Sequence, residues 1–124
     1  MCPRFSREKG ALGEEIARKY LRQRGFDILG SNFHARTGEI DIIAREGSTV
    51  VFVEVKSATG DVFGDPLGWI PPWKQQRIIR ASLAYLKTKG MTEEPMRYDV
   101  ITVDRNREVT HVRDAFRSGA PFSL

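Results

Sequence analysis

Apolar residues recur along this chain with two different periods, and the changes of period mark its elements. Between about Glu8 and Arg24, Leu12, Ile16 and Tyr20, with Ala17 and Leu21 beside them, return every three or four positions. That spacing predicts an amphipathic helix stopped by Gly25. Gly10, Gly13 and Ala17 fall on nearly one stripe of it, which lets the helix backbone approach a sheet closely. Phe26 to about His34 reads as a first strand, and Thr37-Gly38 turns into Gly38-Glu39-Ile40-Asp41-Ile42-Ile43-Ala44. A turn over Arg45–Thr49 leads to Val50-Val51-Phe52-Val53-Glu54-Val55-Lys56, so a three-strand meander is complete by Ser57. Trp73–Lys89 is helical again, with Ile78, Ile79, Leu83 and Leu86 toward the core, Pro71-Pro72 at its start and Gly90 at its end. Met96–Val103 predicts a fourth strand, and Glu108–Val112 a short fifth after the Asp104-Arg105-Asn106-Arg107 turn.

Strands as apolar as those at 38–44 and 50–56 usually lie inside a sheet covered on both faces. A charge there is costly unless it is paired or holds a metal, so Asp41, Glu54 and Lys56 require a reason. If Arg45 pairs with Val50, Asp41 stands opposite Glu54 and Glu39 opposite Lys56, all four on one face. A slip of one residue would send Glu54 and Lys56 to the other side. In the favoured register two carboxylates are near enough to share a divalent cation. Magnesium suits them, because it takes one or two carboxylates together with waters and phosphate oxygens. Lys56 would then orient a water and neutralise charge growing on the phosphate. The structural alternative is a cross-strand ion pair between Glu39 and Lys56.

The D-x(12)-E-x-K arrangement of Asp41, Glu54 and Lys56 resembles the PD-(D/E)xK nuclease signature, with Ile40 where proline usually stands. More closely, the chain resembles the small bacterial YraN-type family, itself similar to archaeal Holliday-junction resolvases. The matching pieces are Gly10-Ala11-Leu12-Gly13-Glu14, Gly38–Ala44, Val51–Lys56 and Tyr98-Asp99-Val100-Ile101, in that order. The resemblance implies an α/β fold of the restriction-endonuclease type: a central mixed sheet of about five strands flanked by helices. It also implies an endonuclease dependent on Mg2+ or Mn2+ that hydrolyses phosphodiester bonds, in DNA rather than RNA. Branched DNA is the expected substrate by analogy with the resolvases, and a homodimer follows if symmetric junctions are cut twice. In resolvases of this kind an acid at the place of Glu14 completes the metal site, although a first-turn acid favoured by the helix dipole would look the same. The Val55 carbonyl is implied as a further ligand, and Lys74 or Gln76 as a support for the metal or the scissile phosphate.

Composition narrows the alternatives without selecting one. The chain has 124 residues, enough for one domain with a real core, and 1–6 and 118–124 are expected to be flexible ends. No apolar run reaches the length of a membrane span, no signal-like stretch follows Met1, and a lone Cys2 excludes an internal disulfide; cytoplasm is the expected compartment. The net charge of +4 favours a polyanion weakly. Arg18, Lys19, Arg22 and Arg24 crowd the first helix, and Lys74, Arg77 and Arg80 the second. These read as solvated helix faces or as a track for DNA phosphates. Residues 58–72 form a long Gly-, Asp- and Pro-rich loop beside the acidic residues. Trp69 and Trp73 are read as its apolar anchors, with stacking on unpaired bases as the alternative. Asp99 is read as a structural acceptor, and His111 as a surface or core histidine. Two rivals to the nuclease remain: a nucleic-acid-binding module with an idle metal site, and a structural protein whose charges form an ion-pair network.

Overall fold

The computed structural model describes residues 3–57 and 70–117. Its elements are α1 (Pro3–Gln23), β1 (Asp27–Ala35), β2 (Gly38–Glu46), β3 (Thr49–Ser57), α2 (Pro72–Lys89), β4 (Met96–Val103) and β5 (Val109–Phe116). The strands lie in the order β1-β2-β3-β4-β5. Neighbours are antiparallel except β3 and β4, whose parallel pairing needs the crossover that α2 provides. This is the mixed five-strand sheet with flanking helices that the sequence predicts.

Alternation along β3 divides the core. Val50 and Phe52 pack with Ile78, Ile79, Ala81, Tyr85 and Leu86 of α2. Val51 and Val53 pack with Ala17 and Leu21 of α1 on the other face. Two glycines set the helix distances. A Cβ on Gly13 would lie 2.6 Å from Ser57 Oγ, and one on Gly38 would lie 2.6 Å from the Arg77 carbonyl oxygen. Each helix therefore rests against one of the two strands that carry Asp41 and Glu54.

The register of β2 and β3 is the one favoured above: Arg45 pairs with Val50, and the ladder reaches Ile42 and Val53. Pairing of Glu46 with Thr49 shortens the turn to Gly47-Ser48, and Gly47 has φ +59, which suits the first position of such a turn. Several boundaries and contacts differ from the sequence reading. Helix α1 begins at Pro3, five residues before the expected Glu8, since proline is accommodated in a first turn whose N–H groups lack partners anyway. Leu83 is 53% exposed instead of buried. The buried stripe of α2 continues through Ser82, whose hydroxyl donates to the Ile79 carbonyl and lies 2.6 Å from the Tyr98 hydroxyl. Leu12 is exposed too, and Gly13, Ala17 and Leu21 form the buried stripe of α1. Strand β5 extends to Phe116, beyond the expected Val112, because Asp114 takes φ +53 and donates its N–H to Asp99 Oδ1 at 2.9 Å. Loop residues 58–69, with Phe63 and Trp69, and the expected flexible tail 118–124 lie outside the described residues, as do the surroundings of Gly10.

Candidate active site

The site forms where β2 parts from β3. Ile42 and Ile28 belong to the α1 side of the core, whereas Ile40 and Phe33 belong to the α2 side. Strict alternation would keep Ile40 and Ile42 together, so the β1–β2 ribbon changes face between them. Asp41 occupies the change. Opposite it, between the pairs Ser31–Ile42 and Phe33–Ile40, stands Asn32 with φ +53, a conformation that asparagine tolerates better than most residues. Past Ile42 the β2–β3 ladder gives way, and Asp41 Oδ2 accepts the Val55 N–H at 2.9 Å. A carboxylate is thereby inserted where a ladder bond would have been.

Asp41 and Glu54 come together, as the register requires. Burial first, and then the negative charge and hydrogen bond of Glu54, push Asp41 up to about 7 against the partial relief of the Val55 N–H and Lys74. Glu54 is itself buried, and its Oε2 lies 2.7 Å from Lys74 Nζ in the first turn of α2. Burial would lower the Lys74 pKa, but the Glu54 hydrogen bond and the charges of Glu54, Asp41 and Glu39 outweigh it and leave it raised. Glu14 approaches from α1. Its pKa is raised by burial and then by Asp41, while a hydrogen bond with Asn32 and the charge of Arg18, 3.9 Å away, oppose the shift.

Two carboxyls in contact, with a third acid close by, fit a hard divalent cation that completes its shell with water and phosphate. Among the described residues no three His, Cys, Asp or Glu side chains converge as a metal cage. The carboxyls in contact are thus Asp41 and Glu54, with Glu14 outside the pair but near enough to feel the charge of Asp41.

Lys56 is exposed and has no hydrogen bond or ion pair among the described residues. Glu39 does not pair with Lys56. It reaches His34 on β1 at 3.0 Å, because β2 stays bonded to β1 down to Gly38 after leaving β3. Val55 remains in register with Ile101 of β4. Gln76 is half-buried and Arg77 exposed beside Lys74; Arg18 is engaged with Glu14, and Arg22 lies exposed at the last turn of α1. Trp73 is 63% exposed, and the loop it was expected to anchor lies outside the described residues. The sequence reading passed over Asn32; its one signal is an asparagine in mid-strand two residues after a glycine.

Asp99 is fully buried and structural. Arg97 donates to it at 2.9 and 3.2 Å, its Oδ2 lies 2.7 Å from His111 Nε2, and the Asp114 N–H completes its shell. His111 Nδ1 lies 3.2 Å from the Tyr20 hydroxyl, so the histidine belongs to the core and ties β5 to α1.

With fold and site in view, the class of protein is a mixed-sheet α/β domain bearing a buried carboxyl pair at a parting of two strands. A sequence profile of the uncharacterised protein family UPF0102 matches residues 13–103, and the chain belongs to that family, the YraN-type group its motifs resemble. A UPF0102 protein of Syntrophus aciditrophicus is 46% identical over 110 residues, covering 86% of this chain and 87% of its own. One from Legionella pneumophila subsp. pneumophila is 40% identical over 117 residues, covering 93% and 99%. A third, from Geotalea uraniireducens, is 41% identical over 111 residues, covering 86% and 87%. None of these names states an activity. Among the described residues, no helix is long and apolar enough to cross a membrane.

Proposed function

We propose that the protein is a metal-dependent endonuclease that hydrolyses phosphodiester bonds in DNA, with branched DNA as its substrate. One observation carries the reading: Asp41 and Glu54 are buried in mutual contact, and burial with like charge raises Asp41 to about 7. Buried carboxyls held against like charge, with strongly raised pKa values, concentrate at functional sites.

Asp41 and Glu54 would hold magnesium or manganese, which supplies Lewis acidity toward a phosphate oxygen and acidifies bound water. Lys56, on the strand of Glu54 and open to solvent, orients the attacking water. Lys74, paired with Glu54, can shift its ammonium to a phosphate oxygen as negative charge grows there. Glu14 supports the pair from α1. In the reaction a bond from water oxygen to phosphorus forms as the bond to the leaving sugar oxygen breaks, and the water proton passes through solvent to that oxygen. Arg77, Gln76, Arg18 and Arg22 would meet the strand backbone. On a symmetric junction two such sites must act together, so a homodimer belongs to the proposal.

A panel of labelled duplex, flap, single-stranded and four-way-junction DNA, with RNA counterparts, is incubated with manganese. Cleavage of branched DNA, lost in Asp41→Asn and in Lys56→Ala while binding persists, is the expected result. Cutting by either purified variant would overturn the roles assigned here.

The rival reading, a binding module with an idle site, draws on the Lys74–Glu54 ion pair, which already neutralises one carboxylate without a metal. Manganese binding with no cleavage across the whole panel would favour it.

A further inference from the structure

We propose that the cavity beside the carboxyl pair is a pocket for one unpaired nucleobase, with Trp73 as its stacking surface. The proposal rests on the nuclease reading and specifies which strand conformation that site accepts. The cavity, about 240 Å³, is lined by Glu39, Trp73, Lys74, Arg77 and Ile78. It is smaller than the roughly 300–1,000 Å³ of clefts that enclose a whole small-molecule ligand, so a single base fits it better than a complete cofactor.

Its wall has the chemistry a base requires. Trp73 is 63% exposed, an unusual position for a large indole. Every base has a π-face, and stacking on an aromatic ring holds unpaired bases irrespective of sequence. Arg77, one turn further along α2, is exposed and makes no hydrogen bond or ion pair among the described residues, which leaves it available to a phosphate. Glu39 offers an acceptor to an exocyclic amine, as carboxylates do for cytosine N4. Ile78 closes the floor from the core.

The pocket is also fixed relative to the carboxyl pair. Lys74 lies next to Trp73 in sequence, lines the cavity and holds Glu54 at 2.7 Å. Gly38 seats the backbone of α2 at Arg77 directly on β2, where a Cβ would leave only 2.6 Å. A base held against Trp73 therefore keeps its neighbouring phosphates beside Asp41 and Glu54. A regular duplex stacks all its bases internally and has none to offer, so the pocket selects strands with an unpaired nucleotide near the cut.

Binding is measured by fluorescence anisotropy, with calcium replacing magnesium. Three probes of equal length are used: a plain duplex, a duplex with one bulged cytosine, and the same bulge carrying an abasic residue. The wild type should bind the cytosine bulge at least about fivefold more tightly than either other probe, the lower end of what one stacked base contributes. Trp73→Ala should erase that preference with duplex affinity unchanged, and Trp73→Phe should keep most of it. Equal wild-type binding of duplex and cytosine bulge would sink the pocket while leaving the nuclease reading intact, as would an undiminished preference in Trp73→Ala. Failure of the wild type to bind any of the three would refute both.

Discussion

Two aspartates buried in the same sheet have opposite fates. Burial acts first on both and pushes their carboxyls toward neutrality. At Asp99 the His111 ring, the Arg97 guanidinium and the Asp114 N–H more than reverse the push, and its pKa ends below the ordinary value. At Asp41 the neighbour is another carboxyl, one backbone N–H is the main relief, and the value rises to about 7. Burial alone is therefore a poor sign of function. The distinction lies in which partners the fold supplies: Asp99 is met by a cation, a histidine and a backbone N–H, whereas Asp41 is met by a second carboxyl and one backbone N–H.

The contrast can be broken most directly at Asp99. Asp99→Ala leaves Arg97 and His111 without their shared acceptor, and should lower the unfolding free energy in urea by about 3–5 kcal/mol. A loss below 1 kcal/mol would mean that the network is ornamental.

Asp41→Asn should act in the opposite direction. The folded value near 7 exceeds the ordinary 3.8, so the stability that the bound proton contributes is complete below about pH 4 and is lost as pH rises through 7. The amide keeps an acceptor for Val55 and removes the repulsion, and at pH 8 the variant should be more stable by at most about 4 kcal/mol. Near pH 4 the gain should vanish. Asp99 behaves in the reverse sense, its contribution present above 3.8 and lost as pH falls through its depressed value. Wild-type melting temperature should thus rise from pH 8 to about pH 5 and fall steeply in stronger acid. A wild-type profile that tracks Asp41→Asn throughout would contradict the raised value.

Gly38→Ala tests whether α2 is seated as tightly as the carboxyl pair needs. The new methyl meets a backbone oxygen that cannot swing aside, and a cost of about 1–3 kcal/mol is expected by urea denaturation. The Lys74–Glu54 contact should lengthen in a structure of the variant. Least consequential is Tyr20→Phe, which removes the outermost hydrogen bond of the Asp99–His111 chain and should cost about 0.5–1.5 kcal/mol.

Much of this was legible in the residues themselves. Nearly unbroken apolar runs marked β2 and β3, and within them the charges of Asp41 and Glu54 were conspicuous. The cross-strand pairing of Arg45 with Val50 follows from where the turn residues fall. Errors arose where local pattern and tertiary packing disagree. Leu83 satisfies helical periodicity and yet faces solvent, because Ser82 has a partner in Tyr98 that no local rule reveals. Residues 113–116 do not alternate, and become strand only because Asp99 accepts the Asp114 N–H.

The sequence by itself determined the elements, their order, and which two acids would meet, since these depend on periodicity and on the spacing across one short turn. The tertiary structure alone decided that the ribbon changes face at Asn32 and Asp41, that Lys74 and not Lys56 rests on Glu54, and that Glu39 turns to His34. Such contacts join residues distant in the chain through the splay of strands and the seating of a helix. Those distances are set by packing, which no local spacing encodes.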